Sequence, residues 1–578
     1  MRRPSVDRRR QRWSVRLAAV LFALAALSQA RVQIFQRGAI LAKARETNRF
    51  AISRIEYARR GAIFSSDGKP LAQDDDTYEM SVRFDKVPRT DSFFMALAGA
   101  ADVPASDLAQ ASAAGVRSLT WQKPMSSAQA RDVQEVKLTW RSDGVSIRRT
   151  NKRAYPLGSA AAGFIGTMQE SGPIAGLELS QNKVLAGTNG KTVGFVDRTG
   201  AFLPTRLDPE TKERKDGKDL VLTIDSNLQQ AAAVSLKSAV DKYKADDGIA
   251  IVMDPRTGDV LAMANWPSYE PDVAGSGIQQ VKKTDLNPNY MMVLEPGSTF
   301  KILTLAKALD RGVVGPNETF YCGGTLQVWP TKAVRCDLHG GTRAHGQINP
   351  ELAIARSCNV WAATLAARVG YDEFISYQKD LGLFQESNLG VPLETRGQYN
   401  SQEYAKPLQL ATMGFGQSVS CTPIGLASAF AILGNEGKRP EPRLIKKIGG
   451  VEAPLRPQRS IVKRQTAEKV LQFMESVFSD ERGTGKSLRI PGYRIAGKTG
   501  TAQRVRRSGG GGYVSNFVGF VPADKPRAMI LVMVDNPKGA YYGAVVAGPV
   551  FREIAQAVIR RYAIPPSSPA EITTRIKD

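Results

Sequence analysis

The chain has 578 residues, 42% of them hydrophobic, with 79 Lys and Arg against 55 Asp and Glu, a formal charge of +24. That length exceeds one ordinary domain, and the apolar fraction is that of filled cores rather than of a disordered chain. The charge invites a nucleic-acid reading, but Arg2, Arg3, Arg8, Arg9, Arg10, Arg12 and Arg16 all crowd before the first apolar run. The remaining basic excess is scattered without an aromatic-interleaved stripe. It reads as a solvated surface, with attraction to anionic headgroups or wall polymers as the alternative.

Residues 17–30 (LAAVLFALAALSQA) carry no charge, and Trp13 and Phe35 flank them as interfacial anchors. The run spans only about 21 Å of helix against roughly 30 Å of hydrocarbon, so Arg16 and Arg31 must snorkel outward. The competing reading is a cleaved signal peptide ending at Ser28-Gln29-Ala30. In either case the basic tail stays cytoplasmic and the remainder is exported, which leaves no nucleic-acid partner.

Residues 36–56 are polar with scattered apolar positions. Arg59-Arg60-Gly61-Ala62-Ile63-Phe64 then opens a β-like stretch, punctuated by Asp67-Gly68, that begins a non-catalytic α/β module. A charged break over 208–218 ends it. Residues 220–224 read as a strand, and Asp225 or Ser226 caps a helix over 227–240. Residues 248–254 and 259–264 flank the turn Pro255-Arg256-Thr257-Gly258 as an antiparallel hairpin. A helical, loop-rich middle follows, then strands over 493–496, 516–521 and 529–534, a closing helix over 549–562, and a disordered tail after Ile564. Strands, a helical insertion and more strands predict an α+β sandwich whose site lies where sheet and helical lobe meet.

Glu295-Pro296-Gly297-Ser298-Thr299-Phe300-Lys301 leads into an apolar-periodic helix over 302–309, which puts Ser298 in the first turn and Lys301 on the same face. A serine hydroxyl needs a base in reach. Lys301 is the candidate, provided burial and a second cation, Lys498, keep it partly neutral. S-x-x-K also occurs at Ser66 and Ser180, and Ser357-Cys358-Asn359 is weak by itself. Lys498-Thr499-Gly500 occurs once, where an edge strand offers backbone donors and small residues permit close approach.

Of the cysteines at 322, 336, 358 and 421, Cys322 and Cys336 are the nearest pair and the disulfide candidate in an exported domain. Zinc on these two with His339 and His345 is disfavoured, because the spacing matches no common closed site. No metal and no organic cofactor are expected.

In this order the three motifs resemble the S-x-x-K, S-D-N and K-T-G set of penicillin-binding proteins and serine β-lactamases. The resemblance extends over 155–197, 220–230, 248–264, 414–430 and 516–551, and covers most of 59–564. It is to class B penicillin-binding proteins, and Glu295-Pro296-Gly297-Ser298, Phe517-Val518-Gly519-Phe520 and residues 541–551 lean toward the division-specific FtsI type. Two departures stand out: Cys358 replaces the middle Asp of the second motif, and residues 63–67 lack the usual acidic-basic turn.

The resemblance implies a cytoplasmic tail (1–16), a transmembrane anchor (17–35), a pedestal or dimerisation-type module (36–215), a transpeptidase domain with a five-stranded antiparallel sheet (216–565) and a disordered tail (566–578). It implies a peptidoglycan D,D-transpeptidase in the bacterial inner membrane, single-pass, with its catalytic domain in the periplasm and β-lactams as inhibitors. Ser298 would attack a stem peptide ending in D-Ala-D-Ala. The N–H groups of Ser298 and Thr501 would form the oxyanion hole and Ser357 would relay a proton. Asn359 would bind the substrate amide, and Lys498, Thr499 and Thr501, with Gly500 between them, would hold the terminal carboxylate. A membrane glycosyltransferase of the shape, elongation, division and sporulation (SEDS) family and other division proteins would be partners. Residues 504–512, with Arg504, Arg506, Arg507 and a glycine run, would form a loop at the rim. The competing readings are an elongation-type transpeptidase, a serine β-lactamase or β-lactam sensor, and a non-enzymatic division scaffold.

Overall fold

A computed structural model describes residues 8–46, 51–169, 172–196, 202–207, 211–271, 287–338, 341–342, 344–399, 407–503 and 512–567. Internal contacts divide the chain into two compact units, residues 1–59 with 186–217, and residues 60–185 with 218–578.

In the first unit the helix Arg8–Ala30 continues through a π-helical turn, Arg31–Phe35. Arg12–Phe35 is thereby one helix of 24 residues, long and apolar enough to cross a membrane. At about 1.5 Å per residue it reaches roughly 36 Å, longer than the hydrocarbon is thick, with Arg16 and Arg31 inside its two ends where their heads must reach outward. Strands Ala51–Glu56, Gly190–Val196 and Phe202–Leu207 form an antiparallel sheet beside it in sequence.

The second unit opens on the pedestal. Its long strand Pro70–Arg83 pairs antiparallel with Ser118–Met125 and Val145–Ala154. Helices Asp91–Ala101 and Ser127–Thr139 bring Phe93, Leu97 and Val133 into one core with Met80 and Val82. The second of these helices starts on a capping box in which the Ser126 hydroxyl accepts from Gln129 N–H.

The strands Pro70–Arg83 and Val145–Ala154 also contribute Asp74 and Arg153 to a buried ionic cluster. Glu178 accepts from Arg60 Nε at 2.6 Å and from Arg153 Nε at 2.7 Å, and Arg153 reaches Asp74 at 3.0 Å and the Gly61 carbonyl at 2.9 Å. Burial lowers the Arg153 pKa, but the charges and hydrogen bonds of Glu178 and Asp74 outweigh it and leave the guanidinium raised. Changing Glu178 to Gln removes the anion between two buried cations, a loss of about 3–5 kcal/mol. A urea titration of the variant should show a clearly lower midpoint; an unchanged midpoint would remove the cluster from the account of stability.

Within the second unit, residues from before and after the charged break share a sheet. Ile63–Phe64 runs parallel to Leu220–Leu222, which pairs antiparallel with Ile445–Ile448. Where the resemblance led one to expect an acidic-basic turn, Asp67 accepts from the N–H and hydroxyl of Ser226 at 3.0 and 2.7 Å. Asp225 caps the same helix, α1 (Ser226–Lys242), by accepting from the Asn227 and Leu228 N–H groups.

The central sheet has strands β1 (Asp247–Met253), β2 (Val260–Trp266), β3 (Ala496–Gln503), β4 (Tyr513–Val521) and β5 (Ala528–Asp535), in spatial order β2-β1-β5-β4-β3 and antiparallel throughout. Every residue of β1 and β5 is buried, which explains why both read as continuous apolar runs rather than alternations. Between β2 and β3 in sequence come α2 (Lys301–Arg311), α3 (Asn359–Val369), α4 (Pro423–Ala431) and α5 (Arg464–Ser479), and α6 (Ala547–Arg561) closes the chain. Helices α1 and α6 pack together and against the sheet, α4 packs on β1 and β5, and α5 packs on β3 and reaches α2.

Two expectations shift. The strand placed over 493–496 begins at Ala496 and runs through the K-T-G residues to Gln503, because Pro491-Gly492 turns the chain first and the partner β4 supplies pairing from Phe520 back to Tyr513. The tail assigned from residue 566 remains tied through Ser567, whose N–H donates to the Gly492 carbonyl at 2.8 Å. Arg504, Arg506, Arg507 and Gly509 to Gly511 of the expected rim loop, His339, and residues 568–578 lie outside the described residues.

Candidate active site

Ser298 sits in a 3-10 turn, Gly297–Phe300, immediately before α2, rather than in the helix itself. Side chains three apart eclipse in such a turn, so the serine still shares a face with Lys301. The turn is built by residues far away in sequence. The Gly297 N–H donates to the Gly416 carbonyl at 2.9 Å, Ser418 N–H donates to the Glu295 carboxylate at 2.8 Å, and Asn516 Nδ2 donates to the Pro296 carbonyl at 2.8 Å. Gly297 and Gly416 both have positive φ, and a Cβ on Gly416 would stand 2.2 Å from the Gly297 carbonyl oxygen.

Lys301 is fully buried. Its ammonium donates to the Ser357 carbonyl at 2.7 Å, to Ser357 Oγ at 3.0 Å and to Asn359 Oδ1 at 2.6 Å. Lys498, equally buried, donates to the same Ser357 Oγ at 2.9 Å and to the Thr499 carbonyl at 2.9 Å. Two ammonium groups thus converge on one hydroxyl. Burial pushes the Lys301 pKa down to about 8, against the opposing pull of Cys358 and Cys336. Burial and the charge of Lys301 push Lys498 well below its ordinary value.

Ser357 is held with φ of 57°, a left-handed conformation that a serine adopts only when its surroundings require it. Cys358 then caps α3, and Asn359 is the first helical residue. Thr499 Oγ1 donates to Thr484 Oγ1 at 2.9 Å, and Thr501 Oγ1 accepts from Gly543 N–H at 3.3 Å. The edge strand β3 packs along the Ser298 turn, so close that a Cβ on Gly297 would stand 2.8 Å from that of Ala502. Lys301, Ser357, Asn359 and Lys498 therefore form one hydrogen-bonded group, with Ser298 half-buried in the adjoining turn and Thr499, Gly500 and Thr501 on the strand beside it. Lys301 directs its hydrogen bonds at Ser357 and Asn359 rather than at Ser298.

Asn516, Gly416, Ser418 and Thr484 were not singled out by motif. Asn516 lies on the strand after the K-T-G motif, at the register position opposite Gly500. A Cβ on Gly500 would overlap Asn516 Oδ1 at 1.7 Å. Changing Gly500 to Ala is expected to push Asn516 off the Pro296 carbonyl and shift the Ser298 turn, lowering by roughly 10²-fold the β-lactam acylation that the motif resemblance implies. Stopped-flow acylation by a chromogenic cephalosporin measures this; wild-type rates in the variant would show that the close approach does not matter.

At the same end of β3, Tyr513 stacks on Tyr541 with ring centroids 4.3 Å apart, and Tyr541 stands 4.3 Å from Tyr542. Together they make an aromatic wall near Thr501.

Residues 248–556 match the penicillin binding protein transpeptidase domain, and residues 55–222 match the penicillin-binding protein dimerisation domain. The chain is 32% identical over 423 residues to a probable peptidoglycan D,D-transpeptidase PenA of Neisseria meningitidis, covering 72% of this chain and 70% of that protein. It is 32% identical over 430 residues to peptidoglycan D,D-transpeptidase FtsI of Escherichia coli, with 74% and 70% covered. Among solved structures, penicillin binding protein 3 from Mycobacterium tuberculosis in complex with aztreonam superposes with a TM-score of 0.66 at 26% identity, over 89% of this chain and 99% of that one. The chain belongs to the penicillin-binding proteins of class B, those that join a dimerisation-type module to a transpeptidase domain.

Proposed function

We propose that this chain is a membrane-anchored peptidoglycan D,D-transpeptidase of the division type, cross-linking stem peptides through an acyl-enzyme on Ser298. The observation that carries the reading is the convergence of two buried lysines, 301 and 498, on Ser357 Oγ beside the Ser298 turn. A buried pair of cations has no structural value of its own, since apolar residues of the same volume would stabilise the fold better.

In the forward step Ser298 Oγ bonds to the penultimate carbonyl carbon of a D-Ala-D-Ala end while Lys301, in its neutral form, takes the hydroxyl proton. The N–H groups of Ser298 and Thr501 receive the developing oxyanion. As the carbon–nitrogen bond breaks, the proton reaches the leaving amine through Ser357, and D-Ala departs. Asn359 orients the substrate amide, and Lys498 with Thr499 and Thr501 holds the terminal carboxylate, Gly500 leaving room for it. An amine of a second stem peptide then attacks the ester, and cross-link and free serine result. A β-lactam enters the same path and stays.

Residues 17–35 of the helix Arg12–Phe35 anchor the chain, with residues 1–16 cytoplasmic and residues 36–215 and 216–565 on the periplasmic side. A membrane glycosyltransferase of the SEDS family is the partner that supplies the glycan, since the two domains matched here are of the dimerisation and transpeptidase kinds.

Two measurements test this. After incubation with benzylpenicillin, intact-mass spectrometry should show a persistent single adduct. Rapid turnover would mean a β-lactamase, and folded protein with no adduct would mean a scaffold. In addition, the acylation rate should rise about tenfold per pH unit below the Lys301 pKa and level off above about pH 8, because only neutral lysine accepts the serine proton. A rate that is flat from pH 6 to 9 would remove Lys301 as the base.

A further inference from the structure

Behind the second motif, four side chains that the reaction does not use come together. Cys322 ends the strand Phe320–Cys322, whose register partner Gly346 carries His345 next to it in sequence. Cys336 follows the strand Lys332–Arg335, and Cys358 is the cap of α3 between Ser357 and Asn359. The three sulfurs are buried and stand 3.8, 3.6 and 3.5 Å apart, and His345 Nδ1 lies 3.4 Å from Cys322 Sγ. All four ligand atoms fall within 4.8 Å of one another.

A disulfide selects one pair at about 2.05 Å and leaves the third sulfur out. Here no pair is singled out, and the candidate Cys322–Cys336 is the widest of the three. A tetrahedral ion with metal–sulfur bonds of about 2.3 Å and a metal–nitrogen bond of about 2.0 Å demands sulfur–sulfur edges of about 3.8 Å and sulfur–nitrogen edges of about 3.5 Å. The three sulfur–sulfur edges and the Cys322–His345 edge lie close to that set, and the widest separation among the four ligand atoms is within 4.8 Å, a gap that a small rotation of the imidazole closes. The surroundings suit anionic sulfur as well: Val360 N–H donates to Cys336 Sγ at 3.5 Å, and Trp361 N–H donates to Cys358 Sγ at 3.3 Å from the first turn of α3. The spacing argument against zinc paired two cysteines with two histidines; the structure brings in Cys358 as the fourth ligand, which no local pattern links to the others.

We infer that Cys322, Cys336, Cys358 and His345 Nδ1 form a closed structural Zn²⁺ site that clamps the Ser357-Cys358-Asn359 segment from behind. Four protein donors leave no open position, so the ion does no chemistry on substrate. Three thiolates and an imidazole favour zinc over magnesium, calcium or manganese. The ion fixes Cys358, and through it the left-handed Ser357 and the start of α3; Asn359 Nδ2 also donates to the Arg335 carbonyl, one residue before Cys336, at 3.0 Å. The role in positioning Ser357 rests on the functional reading above, whereas metal binding itself does not.

The test uses the full chain in detergent, purified without chelator or metal-affinity resin. Elemental mass spectrometry should find about one zinc per chain in the wild type, in the Ser298→Ala variant and in the Cys421→Ala variant, but less than a tenth of that in Cys336→Ser and His345→Ala. Cobalt replacing the zinc should give the visible bands of a tetrahedral ion and the near-ultraviolet absorption of thiolate ligation, read on wild-type protein without any activity assay. Stripping the metal should slow penicillin acylation at least tenfold, and added Zn²⁺ should restore it. Wild-type protein that holds less than a tenth of an equivalent and takes up neither Zn²⁺ nor Co²⁺ overturns the site, as does a mass showing a Cys322–Cys336 disulfide in protein as isolated. Full zinc without penicillin acylation would leave the site standing and defeat the functional reading instead.

Discussion

Changing Ser298 to Ala is expected to erase covalent labelling by benzylpenicillin while leaving the unfolding midpoint where it was. The hydrogen bonds that build the turn run to the Pro296 carbonyl, the Gly297 N–H and the Glu295 carboxylate, and the serine hydroxyl takes part in none of them. The variant therefore keeps its shape, and the loss is chemical. Removing the nucleophile of a serine hydrolase-type site lowers the rate by roughly 10⁴- to 10⁶-fold, so no adduct should accumulate in hours. Intact mass on both proteins decides the matter, and an adduct on the variant at the wild-type rate would move the nucleophile elsewhere.

Changing Lys301 to Met should come next in size. Acylation is expected to fall by about 10³- to 10⁴-fold with loss of the base. Stability should move the other way or stay put. Methionine occupies a similar volume without a charge, and desolvation of that charge is what depresses the lysine pKa. Lys498, relieved of its neighbour's charge, should then titrate at higher pH. Calorimetry and acylation kinetics on the same preparation check both halves. A variant that loses stability and activity together would mean that the hydrogen bonds from Lys301 to Ser357 and Asn359 serve the fold first.

How much of this was legible beforehand follows from the range of the interactions. Asp225 as a helix cap, the hairpin around residues 255–258 and the closing helix are local patterns, and each was read within a few residues of its place. The motif serines and lysines were legible because S-x-x-K, S-x-N and K-T-G are each short. What assembles them is not. Gly416 and Asn516 support Ser298 across the fold, and only the coordinates reveal that Gly500 is small because Asn516 fills the space a side chain would take. The start of β3 was misplaced because a strand rich in Gly and Thr carries little apolar signal and owes its extent to its partner. Cys358 read as a tolerated departure from the motif, and its neighbours in space come from separate strands.

The central sheet also governs when a newly made chain can become reactive. Two of its strands come from residues 247–266 and the other three from residues 496–535. The Ser298 turn lies between them in sequence and leans on Asn516 of the later group. Pairing of such distant segments is slow, and it cannot begin until the later one exists. If Ser298 is the nucleophile proposed above, its acylation can begin only near the end of synthesis, and an incomplete chain lacking its last strands carries Ser298 and Lys301 without the turn's support from Asn516.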